Sequence, residues 1–136
     1  MAPALNAGQI VVGRQTRELQ PGDVVFLDGS HRCFSNSDVT VAFLEVLPRL
    51  PAGVVVGIDD IYLPYDYPPD WSDRYYSEQY VLAAWLLGGS RRLRLRCASY
   101  FASQDPELCR IVEPLWADLF AGMMTVGNGF WMTITE

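Results

Sequence analysis

Two short runs of apolar residues set the frame of the chain. Residues 24–27 lie between the turn Pro21-Gly22-Asp23 and the pair Asp28-Gly29, and residues 54–58 follow the turn Pro51-Ala52-Gly53. Uninterrupted apolar runs of this length, bounded by turn residues, predict strands buried on both faces, the parallel-sheet type. Between them Val39, Ala42, Phe43, Val46, Leu47 and Leu50 recur at helical spacing, which predicts one apolar helix face. Cap chemistry at residues 35–38 starts this helix, and Pro48 and Pro51 end it. The order strand, helix, strand makes the two strands parallel neighbours through a right-handed crossover.

Residues 61–71 carry aromatics together with Pro64, Pro68 and Pro69, a long loop of the kind that more often serves function than not. Residues 74–87 predict a second helix, with Ser77, Tyr80, Val81, Ala84 and Trp85 on one stripe. Leu82, Leu86 and Leu87 cover a second side, and Gly88-Gly89 stops it. Residues 91–96 alternate, with Arg92, Arg94 and Arg96 opposite Leu93 and Leu95, as in a strand with one wet face. Residues 105–120 read as a helix broken near Pro114, and residues 130–135 as a closing strand that pairs antiparallel with the one before it. Ile10 to Val12 offers a weak short strand, and residues 1–9 read as a flexible start.

Composition narrows the field. The chain has 136 residues, 50% hydrophobic and 19% charged, a single α/β domain rather than a disordered segment. The formal charge of −6 disfavours coating nucleic acid or an anionic membrane, and no apolar run is long enough to span a bilayer. Cys33, Cys97 and Cys109 lack metal-type spacing and read as reduced thiols of a cytoplasmic protein.

Candidate chemistry gathers at the strand ends. In open α/β sheets ligands bind beyond the carboxyl ends of the strands. One such end carries Asp28, Gly29, Ser30 and His31, the other Asp59 and Asp60, and His31 is the only histidine in the chain. Neighbouring strands bring these ends to about 5 Å. The group would act as a general base on a substrate hydroxyl. Alternatively, Asp28, Asp59 and Asp60 would hold a divalent cation such as magnesium or manganese. In the plainer reading the aspartates only cap turns. Tyr62, Tyr65 and Tyr67 either line a substrate pocket or pack beneath the loop. The arginine stripe fits a blunted sheet edge better than an anion site, and Glu78 and Gln79 read as helix-start groups.

The pieces Val25-Phe26-Leu27-Asp28-Gly29-Ser30-His31, Ser37-Asp38-Val39, Leu47-Pro48-Arg49-Leu50 and Gly53-Val54-Val55-Val56 resemble class I S-adenosylmethionine-dependent methyltransferases. The closer resemblance is to a bacterial branch with Asp-x-x-His after the fourth strand and His-Asp after the fifth. It continues through Asp60-Ile61-Tyr62-Leu63-Pro64, Glu78-Gln79-Tyr80 and Gly129-Phe130-Trp131. The resemblance covers the C-terminal half of that domain. It implies a partial Rossmann-like sheet of the fourth and fifth parallel strands plus an antiparallel sixth and seventh pair, the seventh lying between fifth and sixth, with flanking helices. It further implies Asp28, His31 and Asp60 as catalytic residues and Asp28, Gly29, Ser30 and His31 beside the cofactor, with O-methyl transfer to a small molecule or sugar. Asp59 stands where that branch has histidine, and no Gly-x-Gly turn precedes Asp28. S-adenosylmethionine binding by the chain alone is therefore expected to be weak or absent. A homodimer, or a missing N-terminal half, is expected to cover the apolar edge of residues 24–27. The alternatives are a non-catalytic α/β assembly module and a metal-dependent sugar-nucleotide enzyme.

Overall fold

A computed structural model describes residues 19–119 and 126–135. The expected strand at Ile10 to Val12 and the flexible start at residues 1–9 lie outside the described residues. The chain forms a mixed α/β fold around a four-stranded open sheet in the order β1-β2-β4-β3. Strand β1 (Val24–Leu27) runs parallel to β2 (Val55–Ile58), β2 pairs antiparallel with β4 (Phe130–Ile134), and β4 pairs antiparallel with β3 (Leu93–Ala98). The sheet thus has one parallel pair, β1 and β2, and the last strand lies between β2 and β3.

Register sets the two faces of the sheet. Val25, Val56 and Met132 align across the strands, as do Leu27, Ile58 and Phe130. All of them are buried, together with Val39, Phe43, Leu47, Leu50 and Leu82 from the helices. The opposite face is thinner: Phe26 aligns with Gly57 and Trp131, and the two aromatic rings stack with centroids 5.6 Å apart. A Cβ at Gly57 would lie 2.6 Å from the Trp131 ring and 2.8 Å from the Phe26 ring, so only glycine lets the stack form. The expectation that residues 24–27 are buried on both faces is thus corrected. Val24 is half exposed and Phe26 half buried, because β1 is an edge strand among the described residues and the core lies on one side.

The first helix is less regular than its apolar spacing predicts. Ser37 caps it, its hydroxyl accepting from the Thr40 N–H. Helix α1 (Asp38–Val41) then widens into a π turn (Ala42–Val46) and tightens into a 3-10 turn (Leu47–Arg49). Pro48 explains the change, since its ring clashes with the carbonyl four residues earlier and it has no N–H to donate. The expected apolar face survives, with Val39, Ala42, Phe43, Leu47 and Leu50 buried.

Helix α2 (Glu78–Leu87) starts four residues later than expected, after a 3-10 turn (Pro69–Arg74). Its buried positions are Glu78, Gln79 and Leu82, while Tyr80 and Leu87 are exposed. Of the predicted stripe, Val81 and Trp85 pack against the core, whereas Tyr80 is turned out. Two polar residues take the inner position because they carry the hydrogen bonds described below. The alternation of β3 holds through Leu95, which aligns with the buried Met132, and a bulge follows between Leu95 and Cys97; Leu95 is nonetheless exposed, because β3 is the outer strand of the described sheet. Arg92 and Arg96 are not free surface groups either, for they donate to Leu50 O and Thr133 Oγ1. Helix α3 (Ser99–Gln104) was not foreseen as a separate element. Helix α4 (Pro106–Leu119) contains Pro114, and Asp105 Oδ1 accepts from the N–H groups of Glu107 and Leu108 at its start.

Candidate functional site at the carboxyl ends of the parallel strands

The two parallel strands end side by side, and the Asp59 N–H extends their ladder by donating to Leu27 O at 2.9 Å. Beyond β1 the chain turns through Asp28, Gly29 and Ser30 to His31. Asp38, the first residue of α1, holds this turn: its carboxylate accepts from the Ser30 N–H at 2.7 Å and from the Ser30 hydroxyl. A Cβ at Gly29 would collide with that carboxylate, so a larger residue there would displace Asp38 from Ser30. Burial pushes the Asp38 pKa up, but the Ser30 hydrogen bonds outweigh it and the net shift is downward.

His31 is the centre of the site. Its side chain is 4% exposed, and its Nδ1 lies 2.9 Å from Glu78 Oε2, itself 4% exposed. On the other side of the ring, Nε2 lies 3.5 Å from both Asp28 Oδ1 and Asp60 Oδ2. Residues from four places in the chain build this arrangement. The end of β1 supplies Asp28 and His31, the end of β2 supplies Asp60, and the first residue of α2 supplies Glu78. The fourth place is the segment before β4, where Asn128 Nδ2 donates to Asp60 Oδ1 and the Asn128 carbonyl accepts from the Ile61 N–H. The start of α2 is bound to the same turn, since the N–H groups of Ser77 and Glu78 both donate to His31 O. That fixes the helix against the loop and aims Glu78 back at the imidazole.

Among the described residues, four other than glycine have positive φ, and two of them, His31 and Asp60, lie in this site, the others being Asn36 and Tyr75. His31 and Asp60 have φ values of 55° and 52°, a left-handed conformation that costs about 1–3 kcal/mol for residues other than glycine and collects at functional positions.

The electrostatics follow from burial and charge. Burial pulls the His31 pKa down, but the hydrogen bond and charge of Glu78, with the charges of Asp60 and Asp28, outweigh it and raise the pKa above 6.5. Burial pushes Glu78 above the usual carboxylate range despite its bond to His31. Burial also raises Asp60, against the attraction of His31 and with the repulsion of Asp59. Chemically, this is an imidazole with one nitrogen anchored on a carboxylate and the other facing two more, the arrangement of an oriented base.

The structure brings together three of the residues expected to act there, Asp28, His31 and Asp60. Gly29 and Ser30 form the turn between them, and the polar groups of Ser30 are committed to Asp38. Asp59 acts on Asp60 through its charge. Among the described residues no group of three or more His, Cys, Asp or Glu side chains is arranged to hold a metal ion. The expected substrate residues Tyr62, Tyr65 and Tyr67 fall in one aromatic cluster. Tyr62 packs edge-on against Trp71 at 5.3 Å and Tyr67 at 6.0 Å, and Tyr65 meets Tyr100 at 5.6 Å. Tyr76 joins this cluster to His31, with ring centroids 4.7 Å apart. Tyr62 is buried and Tyr65 exposed, so the cluster is part core and part surface. Gln79 ties it to α2: its Oε1 accepts from the Tyr62 N–H, its Nε2 donates to Asp66, and its own N–H donates to Tyr67 Oη.

Glu78 and Asn128 are the residues that pattern reading missed. A lone histidine after a strand needs a partner for its second nitrogen, and an acidic residue at the first position of a later helix is a signal of the right type. Nothing local marks Asn128, which reads as a turn residue between two glycines. The chain matches no protein-family model, no curated protein and no solved structure. No helix among the described residues is long and apolar enough to cross a membrane.

Proposed function

We propose that this chain is the acceptor-binding part of a methyltransferase-like α/β domain of Rossmann-like type, with His31 as the base for the hydroxyl of a small molecule or sugar. One observation carries the reading: His31 Nε2 faces Asp28 and Asp60 at 3.5 Å while Nδ1 is held by Glu78 at 2.9 Å. At 3.5 Å neither carboxylate makes a hydrogen bond of normal length to Nε2, which leaves that nitrogen able to accept from a hydroxyl that approaches beside them. The strand order and the position of the site beyond the parallel strand ends fit the same reading.

The chemistry follows in order. Glu78 fixes the ring and leaves Nε2 as the nitrogen that meets the acceptor. Asp60, held by Asn128, and Asp28 accept hydrogen bonds from neighbouring donor groups of the acceptor and so orient its reacting hydroxyl, whose one proton points to Nε2. The hydroxyl proton passes to Nε2, and the imidazolium that forms is stabilised by the surrounding carboxylates. General-base assistance of this kind contributes roughly 10²–10⁴-fold. The raised His31 pKa makes the imidazole a stronger base but leaves it protonated until the pH exceeds that value.

S-adenosylmethionine does not fit the described residues as a bound group. They contain no glycine-rich turn between a strand and a helix, and the N–H and hydroxyl of Ser30 are both taken by Asp38. The role of this chain is confined to the acceptor side, and no step here runs through the methyl donor. The test has two arms on the full chain. Calorimetry with S-adenosylhomocysteine should show no affinity tighter than about 1 mM, a binding free energy of about −4 kcal/mol. A micromolar affinity would place the donor seat on this chain and refute the division of roles. Imidazole NMR with a panel of monosaccharides and phenols should give saturable changes at His31. If no hydroxyl compound perturbs that signal, the acceptor role falls.

A further inference from the structure

The charge around His31 is not balanced. Asp28, Asp60 and Glu78 all lie within 4 Å of the imidazole, and among the described residues no other cationic group comes that close to any of the three. Arg74 is near enough to act on the charge of Asp60, yet its guanidinium sits over the Trp71 ring, 3.8 Å from the centroid. Glu78 is occupied by Nδ1. Asp28 and Asp60 therefore share the Nε2 side of the ring, each 3.5 Å from that nitrogen, with no other cation within 4 Å of them among the described residues. A neutral hydroxyl can donate to only one of these acceptors. An ammonium group has three donors and a positive charge, and hydrogen bonds from it to carboxylates are about twice as strong as neutral ones. A bare metal ion is a poorer match, because no group of three ligating side chains among the described residues is arranged for one. An anionic acceptor would be repelled.

We propose that the acceptor at His31 carries a protonated amine beside its hydroxyl, as in an amino sugar or amino alcohol, with the ammonium between Asp28 and Asp60 and the hydroxyl at Nε2. This rests on the reading of His31 as the base for a hydroxyl acceptor and names the class of acceptor. Asp28 is the selective element: its side chain is 57% exposed, at the rim of the site, where a charged group meets an incoming cation before the buried groups do. Asp60, 15% exposed and fixed by Asn128, completes the seat.

The experiment uses the full chain and its one histidine. Because His31 is the only histidine, a single imidazole signal reports on the site without assignment. Glucosamine, N-acetylglucosamine and glucose are titrated at the same pH, up to about 50 mM, which reaches affinities weaker than millimolar. Glucosamine should shift the signal saturably with an affinity at least about tenfold above that of the two neutral sugars, and added salt should weaken it. In Asp28→Asn that preference should vanish, while an unchanged melting temperature shows that the exposed substitution leaves the fold intact. Equal affinities for glucosamine and glucose, or a preference that persists in Asp28→Asn, would overturn the amine assignment and leave the hydroxyl-acceptor reading standing. No response to any of the three sugars would remove the amine assignment. If phenols and other hydroxyl compounds are equally silent, the hydroxyl-acceptor reading falls with it.

Discussion

Replacing Glu78 with glutamine removes a buried charge from the His31 environment while keeping its shape. The amide oxygen can still accept from Nδ1, so a neutral hydrogen bond replaces a charged one. Hydrogen bonds to charged groups contribute about 1.5–3 kcal/mol and neutral ones about 0.5–1.5 kcal/mol, a difference of about 1–1.5 kcal/mol. An amide is also cheaper to bury than a carboxylate, and that offsets part of the loss. The expected net destabilisation is about 1 kcal/mol in weak acid, or roughly 3–5 °C in melting temperature for a domain of this size.

The pH dependence gives the sharper test. The folded pKa of His31 lies above 6.5, so its stabilisation is fully present below 6.5 and is lost as pH rises through the folded value. The folded pKa of Glu78 lies above 4.5 because burial raises it. The folded state therefore binds that proton more tightly than the unfolded state, and stability falls as pH rises from 4.5 through the folded value. Both groups make the native protein lose stability with increasing pH, and Glu78→Gln should flatten both parts of the curve. Urea unfolding at a series of pH values from weakly acidic to weakly alkaline measures the slope. The single imidazole signal measures His31 directly, and it should titrate at lower pH in the variant. Identical imidazole titrations in the two proteins would refute the role assigned to Glu78.

Three further outcomes follow from other contacts. Gly57→Ala should destabilise by about 1–3 kcal/mol, because its Cβ would enter the Phe26–Trp131 stack at under 3 Å; denaturant melts compare it with Gly57→Ala in a Trp131→Ala background, where the penalty should shrink. Gln79→Ala should cost about 2–4 kcal/mol by leaving the buried Tyr62 N–H unpaired and opening a cavity, and it should loosen residues 61–67 in amide exchange. Asp38→Asn should lower stability near neutral pH and make it depend less on acid. Asp38 titrates below 3.8 in the folded state, so its stabilisation is present above 3.8 and lost as pH falls through the folded value. Acid unfolding followed by circular dichroism should lose that component in the variant.

Much of the architecture was legible along the chain. The apolar runs at 24–27 and 54–58 became the parallel strands, and the apolar positions between them became one buried helical face. Aspartates at both strand ends announced where polar chemistry collects. What failed was orientation. Val81 and Trp85 of the expected stripe pack against the core, but Tyr80 does not, because the buried hydrogen bonds of Gln79 bring that polar residue inward beside Leu82. Alternation puts Leu95 on the face of Leu93, but it cannot tell that an outer strand leaves that position uncovered.

The sequence by itself determined which segments pair, where turns and caps fall, and that Asp28, His31 and Asp60 stand just past strand ends. Those features depend on neighbours within a few residues, where backbone propensity and apolar spacing act. Only the tertiary structure decided that Glu78, 47 positions beyond His31, anchors the imidazole, and that Asn128, 68 positions beyond Asp60, holds the carboxylate. Such polar partners leave no periodic trace. They are selected when the sheet and α2 close on each other and each buried donor or acceptor must find a partner within about 3 Å.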